Sequence, residues 1–235
     1  MKNTKKAVGY YKPEIIEKFT SALKTAIEDV KSGKVSFVSI SNSNSKMGAV
    51  ASVSTLPFLT CPARCQNSCG VSCYAAKLAN LRKNVLVSYA RNTALAMLKP
   101  DAYFKQIDAA ASAVKYFRFH VSGDIMSADY FARMIQIVRG NPSTEFLAFT
   151  KRYEIVNSWI DANGPLPANF HVLFSGWENL ETINPHALPE TNVFETEDQT
   201  RDNWKLCGGN CFDCACRGVG CWQAQTGDVI AFKKH

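Results

Sequence analysis

The sequence predicts an α/β protein, and three observations lead to that class. Segments with helical periodicity alternate with short apolar stretches that are typical of strands. Such alternation builds βαβ units, which form parallel sheets through right-handed crossovers. All nine cysteines lie in two clusters, the second of them near the C-terminus. We therefore expect a parallel sheet of βα units, as an open sheet or a partial (β/α) barrel, with a C-terminal Cys-rich metal-binding segment.

The predicted helices repeat apolar residues at helical spacing, and Gly or Pro residues end several of them. In the first helix Ile15, Phe19 and Leu23 share one face, and Gly33 closes the element. Ser127 has the side chain of an N-cap for a later helix. The predicted helices cover residues 13–31, 74–98, 101–115, 127–139 and 153–162.

The predicted strands are short runs rich in aromatic and β-branched residues, and polar or glycine-containing segments follow them. They cover residues 35–40, 116–121, 145–150, 170–174 and 193–195. From this order of elements we divide the chain into two parts. We predict an α/β domain over residues 1–200, with a cysteine loop at 61–73, and a Cys-rich segment over 201–235 that packs on it.

The cysteines predict metal binding. The first cluster contains Cys61, Cys65, Cys69 and Cys73, and the second contains Cys207, Cys211, Cys214, Cys216 and Cys221. Thiolates this close repel each other and oxidise readily unless they are bound, which indicates disulfides or metal. The N-terminus has no signal-peptide pattern and no apolar run is long enough to cross a bilayer, so we predict a cytoplasmic protein without membrane contact. In a reducing compartment, clustered cysteines favour metal over disulfides.

Ligand type and spacing indicate which metal is bound. The first cluster has no Cys-x-x-Cys pair and no nearby His, which favours a [4Fe–4S] cluster, whose ligands bind different iron atoms. Pro62 and Gly70 argue against one continuous helix through these cysteines. The second cluster contains one Cys-x-x-Cys pair, Cys211 and Cys214, and suits either a second [4Fe–4S] cluster or zinc. Its many glycines indicate a chain wrapped about a metal rather than a regular element.

The charge of the chain is uneven. The net charge is +7, and the first 50 residues hold nine Lys against four acidic residues. A basic region of this kind permits contact with nucleic acid, and a solvated basic surface explains it equally well.

In a parallel sheet, functional residues gather where the carboxyl ends of the strands meet the loops. The polar residues at the predicted strand ends are therefore expected beside the first cysteine cluster. The candidate catalytic residues are His120, Asp124, Lys151, Arg152 and Glu178. Structural explanations stay open, because His120 also fits a core histidine, Asp124 a turn, and the two basic residues a solvated surface. Their shared position favours an enzyme.

Several motifs resemble the phage gene product 88 family. They are Cys61-Pro with Cys69-x3-Cys73-Tyr-Ala, the His120-x-Ser-Gly-Asp strand end, the Phe149-Thr-Lys-Arg strand end, and the Cys-rich segment that ends in Cys221-Trp222. The resemblance extends from about residue 35 to His235. It implies a phage-encoded protein in the host cytoplasm, and it leaves open whether Cys65 and Cys216 are ligands.

A weaker resemblance is to radical S-adenosylmethionine enzymes, which hold a [4Fe–4S] cluster on three cysteines in a loop after the first strand of a partial barrel. Cys65, Cys69 and Cys73 have a similar spacing, one residue longer than is usual there. The resemblance implies that one open iron binds S-adenosylmethionine, with Ser122, Gly123 and Asp124 beside its amino group. If Cys61 also binds, no iron is open and the radical mechanism fails.

Three hypotheses follow. The first is a radical-type enzyme with two [4Fe–4S] clusters, the C-terminal one auxiliary. The second is a non-catalytic iron–sulfur protein for electron transfer or redox sensing. The third is a zinc-stabilised protein that binds nucleic acid through its basic N-terminal region. The polar strand ends favour the first, because an electron carrier does not need them.

Overall fold

The computed structural model describes residues 9–234, which contain eight strands and seven α-helices. The helices are α1 Pro13–Lys31, α2 Tyr74–Leu81, α3 Lys83–Leu98, α4 Pro100–Ser112, α5 Ala128–Gly140, α6 Tyr153–Asn163 and α7 Cys211–Arg217. The strands are β1 Ile40–Ser41, β2 Ala51–Val53, β3 Tyr116–Phe119, β4 Glu145–Thr150, β5 Phe170–Ser175, β6 Glu190–Phe194, β7 Trp204–Leu206 and β8 Val229–Lys233. Lys2, Lys5 and Lys6 of the predicted basic region lie outside the described residues.

All eight strands belong to one sheet, in the order β1-β2-β3-β4-β5-β6-β8-β7. Every neighbouring pair is parallel except β1 and β2. The predicted α/β class and parallel sheet are thereby confirmed. Residues after 200 add two strands to this same sheet, and the domain division at residue 200 stays a prediction.

The two faces of the sheet are covered by different parts of the chain. Along β3, Phe117 and Phe119 face the layer of α1 to α6, because side chains alternate along a strand. Tyr116 on the same strand faces the opposite side, where it packs with Cys214 and Trp222. The Cys-rich segment therefore covers the face of the sheet that the first six helices leave free.

Of the predicted strand over 35–40, only Ile40 lies in an observed strand, β1. Side chains of α3 and α4 bind the backbone of the preceding residues. The Gln106 side chain accepts from Val38 N–H and donates to the Ser36 carbonyl, and Asn92 accepts from Ser39 N–H. These bonds replace those that a neighbouring strand would supply. The helix predicted over 74–98 is interrupted at Arg82, whose backbone is extended, with φ −120° and ψ 105°.

The expectation of irregular chain around the second cysteine cluster is wrong, because Cys211–Arg217 forms α7. The Asn210 side chain accepts from Asp213 N–H at the start of this helix. Gly218 ends it in the left-handed conformation, with φ 61°. The glycines therefore lie around a short helix, at its ends and in the flanking loops. Within residues 9–234, no helix combines the length and apolar character needed to span a bilayer.

Candidate metal centres

The first cysteine cluster lies in the loop that leaves the carboxyl end of β2 and leads to α2. Two short 3-10 turns, Ala63–Cys65 and Cys69–Ser72, fold this loop back on itself. The Thr60 hydroxyl donates to the Leu56 carbonyl at 2.7 Å, and the Arg152 guanidinium donates to the Thr60 carbonyl at 3.2 Å. The loop is thus fastened both to itself and to the end of β4.

The four cysteines of this loop form one group, named here the N-terminal cysteine set: Cys61, Cys65, Cys69 and Cys73. The side chain of Cys65 interacts with those of Cys61 and Cys69, and Cys73 interacts electrostatically with Cys69. The interaction with Cys61, followed by burial, raises the pKa of Cys65, and burial raises that of Cys73 to about 11. The thiols of Cys65 and Cys73 are therefore neutral at pH 7 unless a cation such as a metal ion binds them.

The side chain of Lys151 is buried beside the N-terminal cysteine set. The residue is 5% exposed, and its ammonium group donates to the Ser175 hydroxyl at 2.5 Å. Its positive charge acts on Cys65, Cys69 and Cys73. Within the described range, no carboxylate lies at ion-pair distance from its ammonium nitrogen. The N-terminal set therefore has a buried cation for a neighbour.

Four cysteines of the second cluster also form a group, named here the C-terminal cysteine set: Cys207, Cys211, Cys214 and Cys221. Burial is the main cause that raises the pKa of Cys207 and of Cys221, and each of the two also interacts with Cys211 and Cys214. The Trp222 indole donates to the Cys211 carbonyl at 2.9 Å, and this bond holds α7 to the segment that carries Cys221.

Cys216 lies apart from the C-terminal cysteine set. It is exposed, and it lines a shallow opening with Tyr116 and Phe212. Since successive turns of α7 place Cys211 and Cys214 on one face, Cys216 is carried to another.

Arg118, in the middle of β3, lies beside the C-terminal cysteine set. The residue is 9% exposed, and its Nη1 lies 3.5 Å from Met47 Sδ and 3.9 Å from Cys211 Sγ. The guanidinium stacks over the Phe149 ring at 4.4 Å. Its Nε has no hydrogen-bond partner, and no carboxylate of residues 9–234 forms an ion pair with it.

The Ser122-Gly123-Asp124 segment holds the cysteine loop in place. The Ser122 hydroxyl donates to the Thr55 carbonyl at 3.0 Å, and Thr55 N–H donates back to the Ser122 carbonyl at 3.0 Å. The Asp124 carboxylate accepts from the Thr150 hydroxyl at 2.6 Å, from Lys151 N–H at 2.9 Å and from Ile125 N–H at 2.8 Å. The side chains of Ser122 and Asp124 are thus engaged inside the protein.

The remaining candidates lie in different surroundings. Arg152 contacts the cysteine loop, as described above, whereas Glu178 is at ion-pair distance from Lys234, 3.9 Å away. His120 is buried, with Nε2 2.9 Å from the Tyr130 hydroxyl on α5, and burial lowers its pKa to about 3. The structure therefore brings Asp124, Lys151 and Arg152 to the N-terminal cysteine set, but not His120 or Glu178.

Sequence reasoning missed two residues near the cysteines, Arg118 and Tyr74. The phenol of Tyr74 interacts electrostatically with Cys73, with Arg118 and with Cys211, so it lies between the two sets. Although the residue is 49% exposed, burial raises the pKa of its phenol to about 12. For Arg118 a signal existed, because a charged residue inside the apolar run Tyr-Phe-Arg-Phe needs a partner on one face of the sheet.

No group of three or more His, Cys, Asp or Glu side chains in the described part of the chain has the arrangement that a single metal ion requires. The mostly parallel sheet and the two groups of four cysteines define a cysteine-rich α/β protein. The chain belongs to the gene product 88 family, whose model, described as "Gene product 88", matches residues 15–229. The family expected from the sequence motifs is thereby confirmed. Searches of curated proteins and of solved structures gave no match.

Proposed function

We propose that the protein is an iron–sulfur protein that holds one [4Fe–4S] cluster on each set of four cysteines. The observation that carries the proposal is shared by the two sets. Each consists of four thiols beside a buried cation, Lys151 at one set and Arg118 at the other. Arg118 forms no ion pair with a carboxylate of residues 9–234, whereas the charge of Lys151 also acts on the buried Asp124 carboxylate.

A buried cation without a carboxylate partner, such as Arg118, needs a counter-charge. Leaving a buried charge unpaired costs several kcal/mol, about 3–5 kcal/mol when one partner of a buried pair is removed. Neutral thiols supply no such charge, whereas thiolates bound to iron do. Arg118 Nε, buried and without a partner, fits an anionic group at the C-terminal cysteine set.

The two cysteine sets suit a [4Fe–4S] cluster better than a single zinc ion. In a [4Fe–4S] cluster each thiolate binds a different iron, so the sulfur atoms are spread more widely than around zinc. Neither set contains histidine, which is a common zinc ligand. When bound, such clusters supply one-electron transfer. The protein would hold them through the cysteines, limit water through Trp222 and Phe149, and stabilise their negative charge through Lys151 and Arg118.

Radical chemistry with S-adenosylmethionine is a second candidate. It is favoured by the position of the cysteine loop, directly after β2 at the carboxyl edge of a parallel sheet. It requires that one iron of the cluster stay unbound by Cys61, although the side chain of Cys61 interacts with that of Cys65. It also requires a site for the amino group of the cofactor other than Asp124, whose carboxylate already accepts three hydrogen bonds.

The test is a metal and sulfide analysis of protein purified without oxygen, with its absorption and electron paramagnetic resonance spectra. We expect brown protein with broad absorbance near roughly 400 nm and about eight iron atoms per chain, four for each [4Fe–4S] cluster. Cys69→Ser and Cys214→Ser should each lose about half of the iron, because each breaks one four-ligand site. Cys216→Ser is the matched control and should keep it all.

Several results would overturn the proposal. Colourless protein with stoichiometric zinc would favour a zinc protein, and nine freely alkylated thiols in oxygen-free protein would exclude both metals. Cleavage of S-adenosylmethionine after reduction would favour the radical enzyme, and failure to cleave it would leave electron transfer or redox sensing.

A further inference from the structure

We propose that the exposed face of α2 is the docking surface for an acidic protein that delivers electrons to the N-terminal cysteine set. This surface, named here the α2 face, consists of Val71, Tyr74, Lys77, Leu78 and Leu81, all of which are exposed. The inference rests on the proposed function, because it needs a cluster on the N-terminal cysteine set. It goes further by naming the surface through which that cluster is reduced and the chemical class of the partner.

Large apolar side chains are exposed along one side of α2. Tyr74, Leu78 and Leu81 are spaced by four and then three residues, which places them on one face of a helix. Leu81 is 71% exposed, and Val71, on the turn that precedes the helix, is 44% exposed. The opposite face of the helix is buried through alanines, Ala75, Ala76 and Ala79. An exposed apolar stripe of this kind marks a binding surface.

The charge around the α2 face has a single sign. Residues 30–100 contain nine Lys and Arg residues and no Asp or Glu. Lys77, Arg82 and Lys83 of this stretch are exposed on α2 or directly after it. None of the three has an ion-pair partner in the part of the chain that the structure describes. Cations without ion partners around an apolar stripe attract an acidic surface and steer its approach.

An open groove continues the α2 face towards α1. Leu81 and Lys83 line this groove of about 580 Å³, together with Lys18 and Arg91. Asp29 also lines it and lies 4.0 Å from Arg91 Nη2, but Arg91 Nε is buried without a hydrogen-bond partner. This nitrogen is a free donor for a carboxylate that enters the groove. The groove therefore adds a contact for an acidic side chain beside the apolar stripe.

The α2 face lies next to a cysteine of the N-terminal cysteine set. Cys73 is the N-cap of α2, and its Sγ accepts from Ala76 N–H at 3.4 Å, so the sulfur lies at the first turn of the helix. Tyr74, the next residue, is part of the α2 face. One electron would pass here from the reduced carrier, which is oxidised, to the oxidised cluster, which is reduced. No bond forms or breaks, and no proton moves.

An acidic protein suits the α2 face better than other occupants. Nucleic acid would be attracted by the same cations, but its phosphates make no use of Leu78 and Leu81. A second copy of the chain carries a net charge of +7, so like charges oppose self-association. An apolar centre with a charged rim is the usual composition of an interface between two proteins.

The experiment measures how fast a reduced, acidic plant-type ferredoxin, a low-potential one-electron donor, reduces the oxygen-free holoprotein. Cys214→Ser provides the background, because it leaves the N-terminal cluster alone, and rapid freeze-quench electron paramagnetic resonance follows that cluster. Lys77→Glu together with Lys83→Glu should lower the second-order rate constant about tenfold or more at low salt, since attraction becomes repulsion. Added salt should slow the unreversed protein much more than this variant.

The apolar stripe is tested separately. Leu81→Gln should lower the rate constant about fivefold, as expected for an apolar contact inside an interface. Met97→Gln, at the other end of α3 and 54% exposed, is its control. The control for charge is Lys105→Glu together with Lys115→Glu, two exposed residues on α4 and before β3. Both controls should keep the rate within about twofold, and dithionite, which needs no docking surface, should reduce every variant alike.

Equal rates in the charge-reversed variant and its control refute the inference, as does protein that dithionite reduces and the ferredoxin does not. If a labelled DNA duplex binds through Lys77 and Lys83 but not Leu81, with reduction rates unchanged, the α2 face serves nucleic acid instead. If the wild type is a dimer that Leu81→Gln converts to a monomer, the face serves a second copy. Wild-type protein without iron refutes the proposed function, so the two failures are distinguishable.

Discussion

The hydroxyl of Tyr74 donates a hydrogen bond to the carbonyl of Val121, and this bond ties the residue that follows Cys73 to the segment that leaves β3. Tyr74 directly follows Cys73 in the chain, and Val121 lies beyond β3, the strand that carries Arg118. The helix that begins at Tyr74 is therefore hydrogen-bonded to the segment that follows the strand beside the C-terminal set.

Removing the Tyr74 hydroxyl should loosen this connection. We expect Tyr74→Phe to lower the free energy of unfolding by about 1 kcal/mol, because one internal hydrogen bond is lost and the ring remains. Iron content should not change, since no ligand is altered. Urea denaturation measures the first quantity and metal analysis the second. Unchanged stability would mean that water replaces Val121 as a partner at no cost.

Gly123 is held where a side chain has no room. Its φ is +81°, and an added Cβ would lie 2.0 Å from Thr55 Oγ1 and 2.5 Å from Thr60 Oγ1. We expect Gly123→Ala to destabilise the protein by about 3–5 kcal/mol, from left-handed strain and steric overlap together.

Gly164→Ala is the matched control for this substitution. Gly164 has a φ of +82°, but nothing lies within 4 Å of the position of an added Cβ. It should cost only the backbone strain, about 1–3 kcal/mol. If Gly123→Ala and Gly164→Ala lose equal stability in thermal or urea unfolding, then Thr55 and Thr60 move aside without cost.

The Asp124 carboxylate organises the junction of the cysteine loop with β4. We expect Asp124→Ala to lower the free energy of unfolding by about 3 kcal/mol or more, because three buried donors lose their acceptor. Asp161→Asn, which removes an exposed carboxylate paired with the partly buried His186, should change it by less than about 1 kcal/mol. A loss below 1 kcal/mol in Asp124→Ala would contradict this role.

Stability should fall in mild acid because of His120. Burial holds its folded pKa near 3, below the ordinary value near 6.5, so the unfolded chain binds a proton first as the pH falls. The contribution of His120 is complete above about pH 6.5 and is lost progressively between about 6.5 and 3.

His120→Asn removes this titration. Asparagine also tolerates the left-handed backbone of the position, where φ is 57°. The midpoint of urea denaturation should fall less from pH 7 to pH 5 in the variant than in the wild type. An identical fall would assign the acid sensitivity to other groups.

Much of the fold could be predicted from local sequence patterns, and the exceptions have physical reasons. Strand β4 has the predicted bounds 145–150, and Ser127 caps α5 as expected, accepting from Tyr130 N–H. Strand β2 was missed because its three residues, Ala51 to Val53, carry too little strand signal. Its identity as a strand comes from pairing with β3, and a single sequence does not encode pairing partners in a local pattern.

The sequence identified both cysteine clusters, but it did not separate Cys216 from the other four cysteines of the second cluster. Spacing does not tell Cys216 from its neighbours unless α7 is recognised as a helix, and the surrounding glycines argued against one. Arg118 is separated by 93 residues in the sequence from Cys211, the cysteine that it contacts. Such long-range contacts depend on tertiary structure and leave no periodic signature.

The order of strands at one edge of the sheet constrains how the protein assembles. Strand β7 pairs with β8 alone, and Cys207 N–H donates to the Ala231 carbonyl of that later strand. One thiol of the C-terminal set is therefore positioned by residues synthesised more than twenty positions after it, so this site becomes complete only once β8 has inserted between β6 and β7. The N-terminal set depends on later residues as well, because Ser122 and Arg152 hydrogen-bond to the segment that carries its loop.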